Sequence, residues 1–221
     1  TSVSVNNTAG FSEMTYTGYG YPAGGQGSYE FGHGLSTAPS LVMIKKRGGG
    51  ASGASGPDKG GHWVVAATAI DPNWTGYFSL NRNVAYFNAD GSGINYFWNG
   101  APTSSVIDTK YDWFTNGSSA TYVAYSWHEV AGFSKFGSYT GNGNADGPFI
   151  STGFKPAWVM IKRTDAVSSW SIYDSKRSIS NVSDNLVWAD LASAEGTSTQ
   201  YSVDILSNGF KLRDGNSNSQ N

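Results

Sequence analysis

Residues that could carry acid–base or nucleophilic chemistry are few in this chain of 221 residues. The chain has no cysteine and three histidines, His33, His62 and His128. His33 stands between two glycines and the other two adjoin alternating segments, so none belongs to an HExxH, GxSxG or phosphate-loop motif. Most acidic residues occupy turns, where Asp normally binds the local backbone. The sequence therefore favours a non-enzymatic protein, with a polysaccharide-degrading enzyme built on paired carboxylates as an alternative.

Aromatic side chains are a second source of chemistry, because Trp and Tyr rings can stack on the faces of sugars. The chain contains 8 Trp and 13 Tyr, and most of these must fill cores. Five stand in loop-like segments and are candidate glycan contacts: Tyr19, Tyr21, Trp74, Tyr111 and Trp113. A carbohydrate is therefore a candidate partner.

One segment imitates the first half of a calcium loop through Asn142, Asn144 and Asp146. Such a loop should place a bidentate Glu at its twelfth position, but Gly153 stands there. The segment is therefore interpreted as a Gly/Asn turn, with calcium as a weak candidate. No cofactor is expected.

The composition limits the other partners. The net charge of -2 lacks the basic excess typical of nucleic-acid-binding proteins. No run of about 18 apolar residues is present, so membrane insertion is not expected. Charged residues make up only 14% of the chain, below the roughly 25% of an average globular protein. This neutral, polar composition is typical of an extracellular β-protein.

The elements that must position these residues are β-strands. Apolar and polar residues alternate in 121–127, 169–173 and 201–206, and Gly, Asn and Pro clusters separate the segments. No window holds a helical stripe. The sequence predicts an all-β fold of two tandem jelly-roll-like antiparallel β-sandwich modules.

An internal repeat divides the chain. Residues 41–47 read LVMIKKR and residues 158–163 read WVMIKR, and each copy is expected to be the central strand of its module. By the same alignment, 105–108 corresponds to 202–205. The predicted modules are 1–130 and 131–221.

The two ends of the repeat do not match. The strand at 121–127 closes the first module, and the second module has no counterpart after Arg213. The chain instead begins with a spare strand in residues 1–8, whose candidate assembly residues are Thr1, Ser2, Val3, Ser4 and Val5. An open module exposes unpaired backbone groups. The spare strand could complete the open module within the chain or enter a neighbouring subunit. Alternatively, the chain is a fragment that lacks the last strand. The missing initiator Met suggests a processed chain or a fragment.

Six stretches of the sequence carry a resemblance to a known family: 121–125 (TYVAY), 133–143 (FSKFGSYTGNG), 146–149 (DGPF), 153–165 (GFKPAWVMIKRTD), 174–177 (DSKR) and 206–212 (LSNGFKL). They resemble a repeat module of tail-fibre and virion structural proteins from phages of aquatic bacteria, especially cyanophages. The resemblance implies a lectin-like β-sandwich located in a virion or outside the cell. It carries no catalytic residues across, and the missing last strand departs from the family pattern.

The sequence and the resemblance together predict a structural subunit of a phage virion fibre or an extracellular filament. Such a subunit would associate with itself by exchanging β-strands. A tail-fibre module that binds a host-surface glycan is the first alternative, and a tailspike-like enzyme is the second.

Overall fold

The computed structural model describes residues 1–20, 27–49, 61–88, 97–197, 200–215 and 220–221. These residues form antiparallel sheets, which confirms the predicted all-β class. No helix among them has the length and apolarity needed to cross a membrane. The strands are β1 (Ser2–Asn6), β2 (Phe11–Thr17), β3 (Ser28–Gly32), β4 (Leu41–Gly49), β5 (Trp63–Ala67), β6 (Gly76–Ser79), β7 (Phe87–Asn88), β8 (Val106–Lys110), β9 (Ala120–Trp127), β10 (Phe149–Ser151), β11 (Trp158–Ile161), β12 (Ser171–Asp174), β13 (Asn185–Trp188), β14 (Gly196–Thr197), β15 (Val203–Leu206) and β16 (Gly209–Leu212).

The chain forms two compact units. The first comprises Thr1–Ser79 and Phe87–Val130, and the second comprises Leu80–Tyr86 and Ala131–Asn221. Their main division lies at the module boundary predicted from the repeat. The segment Leu80–Tyr86 belongs to the second unit although it precedes the boundary in sequence.

Backbone hydrogen bonds attach this early segment to the second unit. The amide of Tyr86 donates to the carbonyl of Thr164 over 2.8 Å, and the amide of Ser168 donates to the carbonyl of Asn83 over 2.8 Å. These bonds lie outside regular strands, so the sequence pattern contained no signal for them.

The first unit contains a seven-stranded sheet, in the order β1-β2-β9-β4-β5-β6-β7, and the two-stranded sheet β3-β8. The closing strand β9 lies between β2 and β4 and is antiparallel to both. Tyr122, Ala124 and Ser126 alternate along β9 and are all fully buried. The period-two pattern therefore places one face of β9 in the core, as expected for a central strand.

The opposite face of β9 is also occupied by side chains. Phe11 stacks on Tyr125 with ring centroids 6.2 Å apart and contacts Trp127 at 5.2 Å. Trp63 stacks on Tyr125 at 6.0 Å. On this face, aromatic side chains of β9 therefore contact β2 and, across β4, the first residue of β5.

The second unit contains the sheet β11-β12-β13-β14 and the sheet β10-β16-β15. Its core includes Val159 and Ile161 from β11, Tyr173 from β12 and Leu186 from β13. The order β4-β5-β6-β7 in the first unit thus reappears as β11-β12-β13-β14. The smaller sheets also correspond, since β3 pairs with β8 and β10 pairs with β16.

This correspondence corrects two predictions. Strand β8 matches β16, so the alignment of 105–108 with 202–205 was wrong; those later residues belong largely to β15. The copy of the repeat in β4 is central, but β11 lies at the edge of its sheet among the residues that the structure describes. Similar strand sequences lie in different positions because pairing partners are set by distant segments.

Candidate functional site

The open edge of β11 is the main structural difference between the units. Strand β4 pairs with β5 on one side and with β9 on the other. Strand β11 pairs with β12 from Trp158↔Asp174 to Ile161↔Ser171, and among the described residues no strand pairs with its other edge. A free edge presents backbone donors and acceptors to any extended segment that can reach them.

Large apolar side chains mark the same position. In the first unit, Trp127 of β9 stands opposite Phe11 on one neighbouring strand and Leu41 on the other. By the sequence repeat, Phe133 corresponds to Phe11 and Trp158 to Leu41. Phe133 is 62% exposed and Trp158 is 54% exposed. Among the described residues, no strand places a counterpart of Trp127 between Phe133 and Trp158.

The second unit nevertheless contains a counterpart of the segment that precedes β9 in the first unit. In the first unit, the hydroxyl of Tyr16 donates to the carbonyl of Thr115 over 2.6 Å. In the second unit, the hydroxyl of Tyr139 donates to the carbonyl of Gln220 over 2.8 Å. Gln220 therefore occupies the place of Thr115.

A second pair of contacts gives the same correspondence one residue later. The amide of Tyr19 donates to Oδ1 of Asn116 over 2.8 Å, and the amide of Asn142 donates to Oδ1 of Asn221 over 2.8 Å. Asn221 thus occupies the place of Asn116, four residues before β9 begins. Asn221 is only 9% exposed, so it is packed within the second unit.

The spare N-terminal strand lies at the other end of the chain's repeat. Strand β1 pairs with β2 through five residue pairs, from Ser2↔Thr15 to Asn6↔Phe11. All five of its residues are exposed, including Val3 at 42% and Val5 at 43%. Within a single chain, β1 therefore pairs with β2 of its own unit, and this pairing does not complete the second module. It occupies a sheet edge and contributes little to the core.

One of the five candidate glycan contacts is buried, and another lies outside the described residues. Trp74 is fully buried, with its ring packed edge-on against Trp98 at 4.9 Å and its indole N–H donating to Thr68 over 3.1 Å. The prediction that Trp74 is an accessible loop aromatic is wrong, because the turn folds its ring into the core. Tyr21 lies outside the described residues.

The other three candidates lie on connected loops of the first unit. Tyr19 is 68% exposed and its ring is parallel to that of Tyr29, with centroids 6.5 Å apart. Tyr111 and Trp113 are half-buried and pack edge-on at 6.0 Å. Asn116, in the loop that follows Trp113, binds the Tyr19 amide, so the same loop positions these rings.

Burial shifts the pKa values of Asp112 and Lys162 in opposite directions. Burial raises the pKa of Asp112 to about 6, partly offset by the Phe114 amide that donates to its carboxylate. Burial lowers the pKa of Lys162 to about 8, while Asp190 acts in the opposite direction. The backbone carbonyl of Asp112 also accepts a hydrogen bond from the Asn116 amide. Asp112 therefore stabilises the loop.

His33 is explained by structure as well. It is fully buried; its Nδ1 accepts the Leu35 amide over 3.1 Å, and its Nε2 lies 3.2 Å from the carbonyl of Thr103. This environment lowers its pKa, mainly through desolvation. The ring therefore binds backbone groups on both sides, and it joins two distant segments of the first unit.

The weak calcium candidate folds as a turn. Oδ1 of Asn142 accepts the Asn144 amide, and Oδ1 of Asn144 accepts the Asp146 amide. The Asp146 carboxylate lies 2.9 Å from Nζ of Lys211. These local bonds use the oxygens that a cation would need, and no group of three or more His, Cys, Asp or Glu side chains suited to a metal occurs among the described residues.

Comparison with known proteins gives a family. Residues 1–221 match the model of DUF7483, a domain of unknown function. The chain belongs to this family. No curated protein and no solved structure matches the chain.

The family match spans both units of the chain, including β1 and the segment that ends at Asn221. The sequence did not predict the hydrogen bonds that hold Gln220 and Asn221 in the second unit. The only available signal was the pair of matching motifs Tyr-Thr-Gly at 16–18 and 139–141, and these motifs do not show what their tyrosines bind.

Proposed function

We propose that this protein is a non-enzymatic structural subunit that assembles head to tail by β-strand exchange. In this proposal, β1 of one copy completes the second unit of the next copy. The open edge of β11 carries the proposal, because the equivalent edge in the first unit is paired with β9 along its length. The resemblance to phage fibre modules supports a virion fibre or an extracellular filament as the setting.

Physical arguments support an exchange between copies. An incoming strand would satisfy backbone groups along β11 and cover Phe133 and Trp158, both more than half exposed. Releasing β1 from β2 would uncover no fully buried side chain of β1. Because donor and acceptor are different surfaces of the chain, the contact repeats from copy to copy and favours an open filament.

Deletion of residues 1–8 tests the proposal. We expect the intact protein to form concentration-dependent assemblies in sedimentation velocity and filaments in electron microscopy. The deletion variant should remain monomeric while the first unit stays folded. A variant in which Gly and Ser replace residues 1–8 at equal length controls for chain length. The same filament from the deletion variant would refute strand exchange.

Glycan binding by the first unit is a second candidate. Two features favour it. The exposed ring of Tyr19 stacks on Tyr29, and Tyr111 packs edge-on against Trp113. We expect a glycan array to find a ligand whose binding Tyr19→Ala reduces. Phe87→Ala is the matched control, since Phe87 is another exposed aromatic of the first unit, at 48%. Equal losses in both variants, or no ligand on the array, would count against this function.

A further inference from the structure

We infer that the open edge of β11 receives β1 of a second copy in one register, which places Val5 between Phe133 and Trp158. The inference rests on the proposed strand exchange and specifies the position of each donor residue. The occupant is therefore a second copy of this chain, and the recognition is by backbone pairing together with a short apolar row.

The chain's own repeat defines the register. Residues 9–12 and 131–134 both read Ala-Gly-Phe-Ser, and Gly10 and Gly132 both have positive φ values, 63° and 76°. The two turns are therefore equivalent. Five residues, 6–10, connect Val5 to Phe11, and five residues, 128–132, connect Trp127 to Phe133. Val5 thus corresponds to Trp127.

The same alignment assigns the next two donor residues. Ser4 corresponds to Ser126, a serine that is fully buried on the core face of β9. Val3 corresponds to Tyr125, which stands opposite Met43 in the first unit. The donor strand and β9 therefore each have a serine at the same position of the core-facing row.

Strand pairing in the first unit then gives the contacts in the second. Trp127 stands opposite both Phe11 and Leu41, so Val5 would stand opposite their counterparts, Phe133 and Trp158. Met160 corresponds to Met43 and would face Val3. The predicted pairs are Val3↔Met160, Ser4↔Val159 and Val5↔Trp158.

Side-chain exposure supports this assignment. Val5 is 43% exposed, Phe133 62% and Trp158 54%, and their counterparts in the first unit are all partly covered. The exchange would bring three exposed apolar side chains into one row. Burial of apolar surface then adds to the backbone pairing.

The residues next to the inferred donor position are defined as well. Asn221 takes the place of Asn116 through its bond to the Asn142 amide. Thr1, two residues before Val3, would take the place of Val123.

Disulfide trapping between copies tests the register. The chain has no cysteine, so a Val3→Cys protein mixed with a Met160→Cys protein contains one thiol on each copy. We expect a covalent product that joins residue 3 of one copy to residue 160 of another, identified by peptide mapping. Directly opposed residues on antiparallel strands have the Cβ separation that a disulfide needs.

A Ser4→Cys protein mixed with the same Met160→Cys protein is the matched control. Neighbouring residues of a strand point to opposite faces, so this mixture should give at least about tenfold less cross-linked product. Efficient trapping at Ser4 in place of Val3 would overturn the register. Assembly without either cross-link would overturn the acceptor edge while leaving self-assembly intact. Failure of the intact protein to assemble would overturn the proposed function as well.

Hydrogen exchange gives a second readout on the unmodified protein. Residues 133–140 correspond to β2 but contain no regular strand. A donor strand beside them should add backbone pairing to this segment, so its amides and those of β11 should gain at least about tenfold protection on assembly. Unchanged protection in assembled protein would contradict the inferred position.

Discussion

The two units show how one strand changes a sandwich built from closely related segments. In the first unit, β9 pairs with β2 and β4 and carries a side-chain row on each face. In the second unit, β11 is an edge strand, and Phe133 and Trp158 are exposed. The LVMIK-type segment therefore specifies a strand with one core-facing row in both units. Its position in the sheet depends on whether a closing strand lies beside it.

The contrast between Trp74 and Trp158 should give the largest effect. Trp74 is fully buried against Trp98, so Trp74→Ala should lower the free energy of unfolding of the first unit by about 3–5 kcal/mol. Urea denaturation, followed separately for each unit by hydrogen exchange, measures this loss. A loss below about 1 kcal/mol would contradict the buried position.

Acid should affect the two units in opposite directions. The raised pKa of Asp112, about 6, means that the folded first unit binds this proton more tightly than the unfolded chain. The contribution of Asp112 to the free energy of unfolding therefore falls, by up to about 2 kcal/mol, as pH rises from about 4 to about 6. Asp112→Asn should remove this dependence, as urea denaturation at about pH 4.5 and about pH 7 would show.

The second unit supplies the opposite case. The hydrogen bond and charge of Lys211 lower the pKa of Asp146. A carboxylate with a lowered pKa stabilises the fold above its unfolded pKa of about 3.9, and that contribution is lost as pH falls through the folded value. Asp146→Asn should therefore leave stability unchanged below that range and lower it slightly at neutral pH. A larger loss in acid would contradict this assignment.

The two tyrosine anchors should give an intermediate effect. Tyr16→Phe leaves the Thr115 carbonyl without its donor, and Tyr139→Phe does the same to Gln220. Each change should lower the free energy of unfolding of its own unit by about 1 kcal/mol. Hydrogen exchange should become faster at Tyr19 in the first variant and at Asn142 in the second. Identical exchange in both variants and the unaltered protein would show that the anchors do not hold these segments.

Trp158→Ala should have the smallest effect on the monomer. The side chain is 54% exposed, so the free energy of unfolding of the second unit should change by no more than about 0.5 kcal/mol. Assembly should weaken by at least about tenfold in the same variant, as sedimentation velocity at several concentrations would show. Ile179→Ala is the control, since Ile179 is 90% exposed and lies outside the predicted contact. Equal assembly in both variants would remove Trp158 from the interface.

Several features of this fold were predictable from local sequence. Alternation along 121–127 predicts a strand, and β9 occupies Ala120–Trp127. The matched turns at 9–12 and 131–134 predict a boundary after residue 130. The first unit ends at Val130, and the main part of the second begins at Ala131. The glycan candidates were less well predicted: a loop composition around Trp74 does not show which way the ring points, and the core contacts of Trp74 involve Trp98, from a distant segment.

The all-β class, the repeat and the mismatch between its ends are predictable from the amino-acid sequence, because strand periodicity and self-similarity are local or can be compared directly along the chain. The structure was needed to show that β1 lies beside β2, that β11 lies at an edge among the described strands and that Asn221 takes the place of Asn116. These facts depend on hydrogen bonds between segments far apart in sequence. A Gly- and Asn-rich tail has no periodic side-chain pattern from which such bonds could be predicted.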